Sequence, residues 1–123
     1  MQSYRDLEVY QLAHKLAVEI HTMTLELPTF ELYEEGSQIR RSAKAIPSNI
    51  VEGFGRKQYQ QDYVRFLTIA HSSCNETIEH LEILFATKSL ISKEKFDYFM
   101  EDYDKLGRKL NKFIQALEGG GDV

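Results

Sequence analysis

The chain has no tryptophan, one cysteine and only two prolines in 123 residues. The lone thiol, Cys74, cannot close an intramolecular disulfide, so the fold rests on packing and suits a reducing, cytoplasmic setting. One cysteine and no close histidine pair also fail the spacing of zinc motifs. With so little proline, no Gly/Ser linker and no internal repeat, residues 1–118 read as one domain, and Gly119-Gly120-Gly121 opens a flexible tail over residues 119–123. Long apolar runs are missing too. The first twenty residues already hold Arg5, Asp6, Glu8, Lys15 and Glu19, so neither a signal peptide nor a membrane span is expected. Strand-type alternation is absent, which leaves helices to organise the 42% of residues that are hydrophobic.

Four helical stripes follow. Helix one runs from about Asp6 to Leu27, with Val9, Leu12, Ala13, Leu16, Ile20, Met23 and Leu27 on one face. Its far side carries Leu7, Val18 and Leu25, which an intramolecular bundle leaves without a partner, so these three are candidates for a subunit interface. Residues 28–37 read as a turn with one short helical piece, and Gly36-Ser37 as the entry to helix two. Gly53-Phe54-Gly55 reads as a stop signal, through glycine's tolerance of left-handed backbone at a helix end. Helix three, about Tyr59 to Lys88, has a core row of Tyr59, Tyr63, Phe66, Leu67, Ala70, Cys74, Leu81, Leu84 and Phe85, small in the middle where a facing helix can come close. Its back carries Ile69 and Ile83, which join the candidate interface. Helix four, about Lys93 to Leu117 with Ser92 as N-cap, is a single stripe from Phe96 to Leu117. Short connectors between four helices predict an all-α, antiparallel up-and-down four-helix bundle.

The stretch from Gln38 to Gly53 organises the rest. Ile39, Ala43, Ile46 and Ile50 share one helical face, and Arg40 and Lys44 lie a turn apart on a neighbouring one. Pro47 lacks an N–H and crowds the preceding turn, so the second helix should kink or break near it. Asn49, on the flank of the apolar row, needs hydrogen-bond partners, and backbone near the proline can supply them. Gln38-Ile39-Arg40-Arg41, then Ile46-Pro47-Ser48-Asn49-Ile50 and Glu52-Gly53, resemble the central signature of the 23S ribosomal-RNA intervening-sequence protein family. Asp6-Leu7, Pro28, Glu31, Tyr33, Phe66-Leu67, Ile69-Ala70, Ser73 and Glu76 extend the resemblance over residues 4 to 85. Glu34-Glu35, Gln58 and Ser72 depart from the family pattern, which bears on local turns rather than on the fold. The resemblance implies a bundle assembled as a homopentameric ring, with Pro47, Asn49, Glu52 and Gly53 as structural signature residues. The family in turn is similar to the accessory protein of diversity-generating retroelements, a basic pentamer that works on nucleic acid beside a reverse transcriptase. This chain is acidic, which weakens that transfer.

The net charge is −4, unevenly distributed: −5 over residues 1–35, +4 over 36–65 and −3 over 66–123. A globally acidic protein repels nucleic acid at long range, so only a concentrated patch could hold RNA or DNA, and then weakly. Arg40, Arg41, Lys44, Arg56, Lys57 and Arg65 are the candidates for such a patch; bracing of neighbouring subunits by the same cations is the favoured alternative, because interleaved aromatics are lacking. Catalytic patterns are weak. The residues three before the histidines are Gln11, Val18, Thr68 and Thr77, none an acid, so the di-iron pattern fails. Gly53-Phe54-Gly55-Arg56 is too short for a phosphate loop and follows a helix. Arg65 and His71 fit the loose Arg-x(4–6)-His pattern of HEPN ribonucleases, but six residues set them about 120° apart on a helix. The expectation is a non-enzymatic oligomeric scaffold without cofactor, metal or membrane contact; nucleic-acid binding through helix two comes second and a HEPN-like ribonuclease third.

Overall fold

The computed structural model describes residues 3–119, and four α-helices account for most of them: α1 Glu8–Thr24, α2 Glu35–Gly55, α3 Gln60–Ala86 and α4 Lys93–Glu118. The helices run alternately up and down. Lys95 Nζ meets Glu26 Oε1 at 2.6 Å where α4 starts and α1 ends, and Lys109 Nζ meets Glu8 Oε1 at 3.3 Å near the other pole. The Gln60 side chain bonds the Leu117 carbonyl, tying the start of α3 to the end of α4. The bundle is the expected all-α architecture. Residues 120–123, most of the expected tail, lie outside the described residues.

The periodic rows are the core. Leu16, Ile20, Ile39, Ile46, Ile50, Leu67, Leu81, Leu84, Leu106 and Leu110 are fully buried, and each came from a stripe at helical spacing. Burial of such side chains stabilises by about 1.5–3 kcal/mol each. Tyr59 departs from its expected place: it is 61% exposed, because α3 starts one residue later and Tyr59 is its extended N-cap. The small middle of α3 does admit close neighbours. Cys74 Sγ donates to the Tyr103 carbonyl at 3.2 Å, a Cβ on Gly107 would lie 3.7 Å from that sulfur, and the Thr77 hydroxyl pairs with Ser42 of α2 at 2.8 Å.

The helix ends correct several boundaries. α1 is preceded by a 3-10 turn, Tyr4–Asp6, closed by a capping box in which Ser3 Oγ accepts from Arg5 N at 2.9 Å and Asp6 Oδ2 accepts from Ser3 N at 3.0 Å. A second 3-10 turn covers Thr29–Tyr33, and α2 begins at Glu35 rather than after Gly36-Ser37. Gly36 is needed for a different reason: a Cβ there would stand 2.4 Å from the Glu31 carbonyl oxygen. Glu31 itself is buried at this N-terminus, accepting from Gly36 N at 3.3 Å and from Ser89 Oγ at 2.6 Å. Its carboxylate sits where a helix dipole favours negative charge. Ser92 caps α4 as expected, accepting from Lys95 N.

α2 continues across Pro47 without a break. Local polar groups bridge the region: Asn49 Nδ2 donates to the Ala45 carbonyl at 2.8 Å, and Ser48 Oγ donates to the Lys44 carbonyl at 2.9 Å. The glycines that follow do not end the helix by left-handed geometry. α2 passes through Gly53, which is buried, and a Cβ there would lie 3.1 Å from Phe66 Cβ and 3.2 Å from Tyr63 Cδ1. Gly53 is a contact point between α2 and α3.

Candidate functional site

The six cations expected to form one patch fall into separate groups. Arg40 turns inward: its Nη1 donates to Thr24 Oγ1 at 3.0 Å and its Nη2 to the Leu32 carbonyl at 2.7 Å. It clasps the end of α1 and the Thr29–Tyr33 turn to α2, which commits two of its donors within the chain. Arg41 and Lys44 remain exposed on α2. Arg56, Lys57 and Arg65 gather around the α2–α3 turn, and the twelve residues from Lys44 to Arg56 put about 18 Å of helix between the groups.

The second group is built on aromatic rings that the linear spacing hid. Arg56 lies 5.2 Å from the centroid of the Phe66 ring, Arg65 lies 4.4 Å from the same ring, and Lys57 Nζ lies 4.0 Å from that of Phe54. Arg56 also reaches Glu52 at 3.6 Å and Asp62 at 3.5 Å, and Arg65 reaches Asp62 at 3.7 Å. Four of the five charged side chains are exposed and Asp62 is partly so, and such pairs stabilise little. The sequence reading missed the rings because it placed Phe66 in the core row of helix three, whereas Phe66 is only partly buried, and a chain reversal separates it from Arg56.

The expected interface residues also divide. Val18 (54% exposed) and Leu25 (61%) stand open on α1, and Ile69 is exposed on α3. Leu7 is the N-cap of α1 and packs partly against the core, and Ile83 is half-buried. Val18 borders two grooves. One, of about 390 Å³, runs between α1 and α2 past His14, Lys44 and Pro47; the other, of about 570 Å³, lies between α1 and α4 past Met23, Tyr98 and Phe99. Tyr98 bridges the second groove, donating to Glu19 Oε1 at 2.7 Å and accepting from Lys15 Nζ at 3.3 Å. The bond to Glu19 raises the Tyr98 pKa above its ordinary value.

Arg65 and His71 do not share a site. Arg65 is held at Asp62 and Phe66, while His71 lines a polar groove between α3 and α4 with Asn75, Arg108 and Asn111. His80, absent from the expected sites, sits between two carboxylates: Nδ1 contacts Glu35 of α2, and Nε2 is 3.4 Å from Glu76. Its Glu35 partner could have been found only by knowing that α2 begins beside the last third of α3. Burial pushes the Cys74 thiol up to about 12, which makes it a poor nucleophile. Among the described residues no three His, Cys, Asp or Glu side chains converge as a metal-ligand set, and no helix is long and apolar enough to cross a membrane.

The model of the 23S rRNA-intervening sequence protein family matches residues 5–112. The chain belongs to that family. A crystal structure of a protein of unknown function from the S23 ribosomal protein family of Bacteroides thetaiotaomicron is similar to it, with 28% identity and a TM-score of 0.74 over 86% of this chain and 97% of that one. A search of curated proteins finds no match. In this member of the 23S rRNA-intervening sequence family, several polar or special positions between Gln38 and Gly53 have a structural use. Arg40 clasps the turn, Asn49 and Ser48 bond the backbone beside Pro47, and Gly53 admits α3.

Proposed function

We propose that the protein is a non-enzymatic, cytoplasmic, homo-oligomeric helical-bundle scaffold, with the five-subunit ring implied by the family resemblance as its assembly. The observation that carries this reading is the outer face of α1, where exposed Val18 stands between two largely apolar grooves and Leu25 continues the face. An element from a second copy would cover that face and fill the grooves, as an apolar surface of this kind demands. The open Ile69 on α3 supports a second contact, as a ring requires two different surfaces per subunit. The rival reading, nucleic-acid contact through α2, loses Arg40 to its intramolecular clasp. The ribonuclease reading is disfavoured by the separate settings of Arg65 and His71. Light scattering should give a mass several times 14.3 kDa. Val18→Glu should lower that mass while leaving the helical circular dichroism intact. A monomer at tens of micromolar, where standard interfaces persist, would sink the proposal.

A further inference from the structure

The net charge of −4 conceals a strong axial separation. The half of the bundle that holds the end of α1, the start of α2, the end of α3 and the start of α4 (residues 17–45 and 74–105) carries thirteen acidic and seven basic residues. The opposite half (residues 3–16, 46–73 and 106–119) carries five acidic and eight basic ones, or +3. The general repulsion of polyanions by an acidic protein therefore does not apply to this second end at close range, where screening over roughly 8–10 Å isolates it from the acidic half.

At the basic end the α2–α3 turn projects seven consecutive exposed residues, Gly55-Arg56-Lys57-Gln58-Tyr59-Gln60-Gln61, without an acid among them. Two are cations, three are amides that donate and accept, and one is a tyrosine with 61% of its surface open. Arg65 stands beside them on the next turn of α3, sharing the Phe66 ring with Arg56. Stacking on aromatic faces orients both guanidiniums, which lowers the cost of holding them for a planar anion. Two carboxylates stand against them: Asp62 contacts both guanidiniums and Glu52 contacts Arg56, each at 3.5 Å or more and each at least partly exposed, so a phosphate can compete for the remaining donors.

We propose that this end of the bundle is a contact surface for single-stranded nucleic acid, in which Arg56, Lys57 and Arg65 take backbone phosphates and the Tyr59 ring takes the face of a base. An acidic protein would use the cations but has no call on an exposed ring flanked by glutamines, whereas an unpaired strand uses both. Duplex bases are stacked and closed to Tyr59. The surface is drawn from a single chain, so binding and assembly are read by separate measurements.

The test is fluorescence anisotropy of a labelled twenty-nucleotide single strand, as RNA and as DNA, titrated with the full chain over a range of salt. Binding should weaken linearly in log salt, with a slope of about −0.7 for each phosphate engaged. The triple change Arg56→Gln, Lys57→Gln, Arg65→Gln should weaken binding at least tenfold and flatten the slope by about two. Tyr59→Phe should bind like the native chain and Tyr59→Ala about tenfold more weakly, as loss of one stacked base predicts. Arg41→Gln with Lys44→Gln should change little. Light scattering and circular dichroism on each variant separate loss of binding from loss of assembly or fold. Three results would each overturn the proposal: no binding at 50 mM salt, loss through Arg41 and Lys44 instead, or loss of the oligomer in the triple variant. Equal binding of an acidic peptide, indifferent to Tyr59→Ala, would reassign the surface to a protein.

Discussion

At the scale of single residues, the positions that matter most are those where the backbone allows little choice. Gly36 lies against the Glu31 carbonyl, and no other residue fits without moving the start of α2. Lys88 presents the opposite case. It closes α3 with φ of 68°, the one non-glycine residue with positive φ among those described. A side chain in the left-handed region costs roughly 1–2 kcal/mol, and helix ends of this type usually take glycine. Lys88→Gly should therefore stabilise the fold by about 1 kcal/mol, raising the thermal midpoint by about 4 °C. An unchanged or lower midpoint in a calorimetric scan would show that the Lys88 side chain contributes contacts that offset its strain.

At the scale of elements, α2 and α3 are the most intimately packed pair, and Gly53 sets their separation. A methyl group at that position meets Phe66 and Tyr63 at 3.1–3.2 Å, while one at Gly55 meets nothing within 4 Å. Alanine gains about 0.5–1 kcal/mol of helix preference over glycine, but overpacking costs about 1–3 kcal/mol. Gly53→Ala should lose roughly 1 kcal/mol in urea unfolding, and Gly55→Ala should be neutral or slightly stabilising. Equal midpoints for the two variants would refute the close-approach role. The helix does stop within Gly53-Phe54-Gly55, at Gly55, but without the left-handed backbone that the composition suggested, and its first glycine answers to a partner helix distant in the chain.

At the scale of the whole molecule, acid groups buried in their neutral form govern behaviour at high pH. Burial raises Cys74 from 9.0 to about 12 and Tyr63 from 10.0 to about 12, and it raises Tyr103 further. In the unfolded chain these groups ionise near their ordinary values, so the folded state binds more protons between pH 9 and 12. The stability they contribute is complete below pH 9 and is lost as pH climbs through that window. Urea midpoints should hold steady from pH 7 to 9 and then fall, with Cys74→Ser falling less between 9 and 10. A flat profile up to pH 11 would contradict the burial of these groups. The Cys74 thiol should also resist alkylation until the bundle unfolds.

The sequence alone determined the four helices, their core rows and the bundle class, because helical periodicity is local and residues such as Leu16, Ile46, Leu84 and Leu110 declare a face within two turns. It also determined the Ser92 cap, whose partner is three residues away. The tertiary structure decided everything that depends on which ends meet. Arg40 left the basic patch because the turn after α1 folds back over it, and Tyr59 left the core because α3 starts a residue later. Arg56 and Arg65 came to share one aromatic ring because the chain reverses between them. Charge, summed along the chain, reads as a mildly acidic protein. Up-and-down packing sorts the same residues into two opposed ends, and only proximity in space can do that.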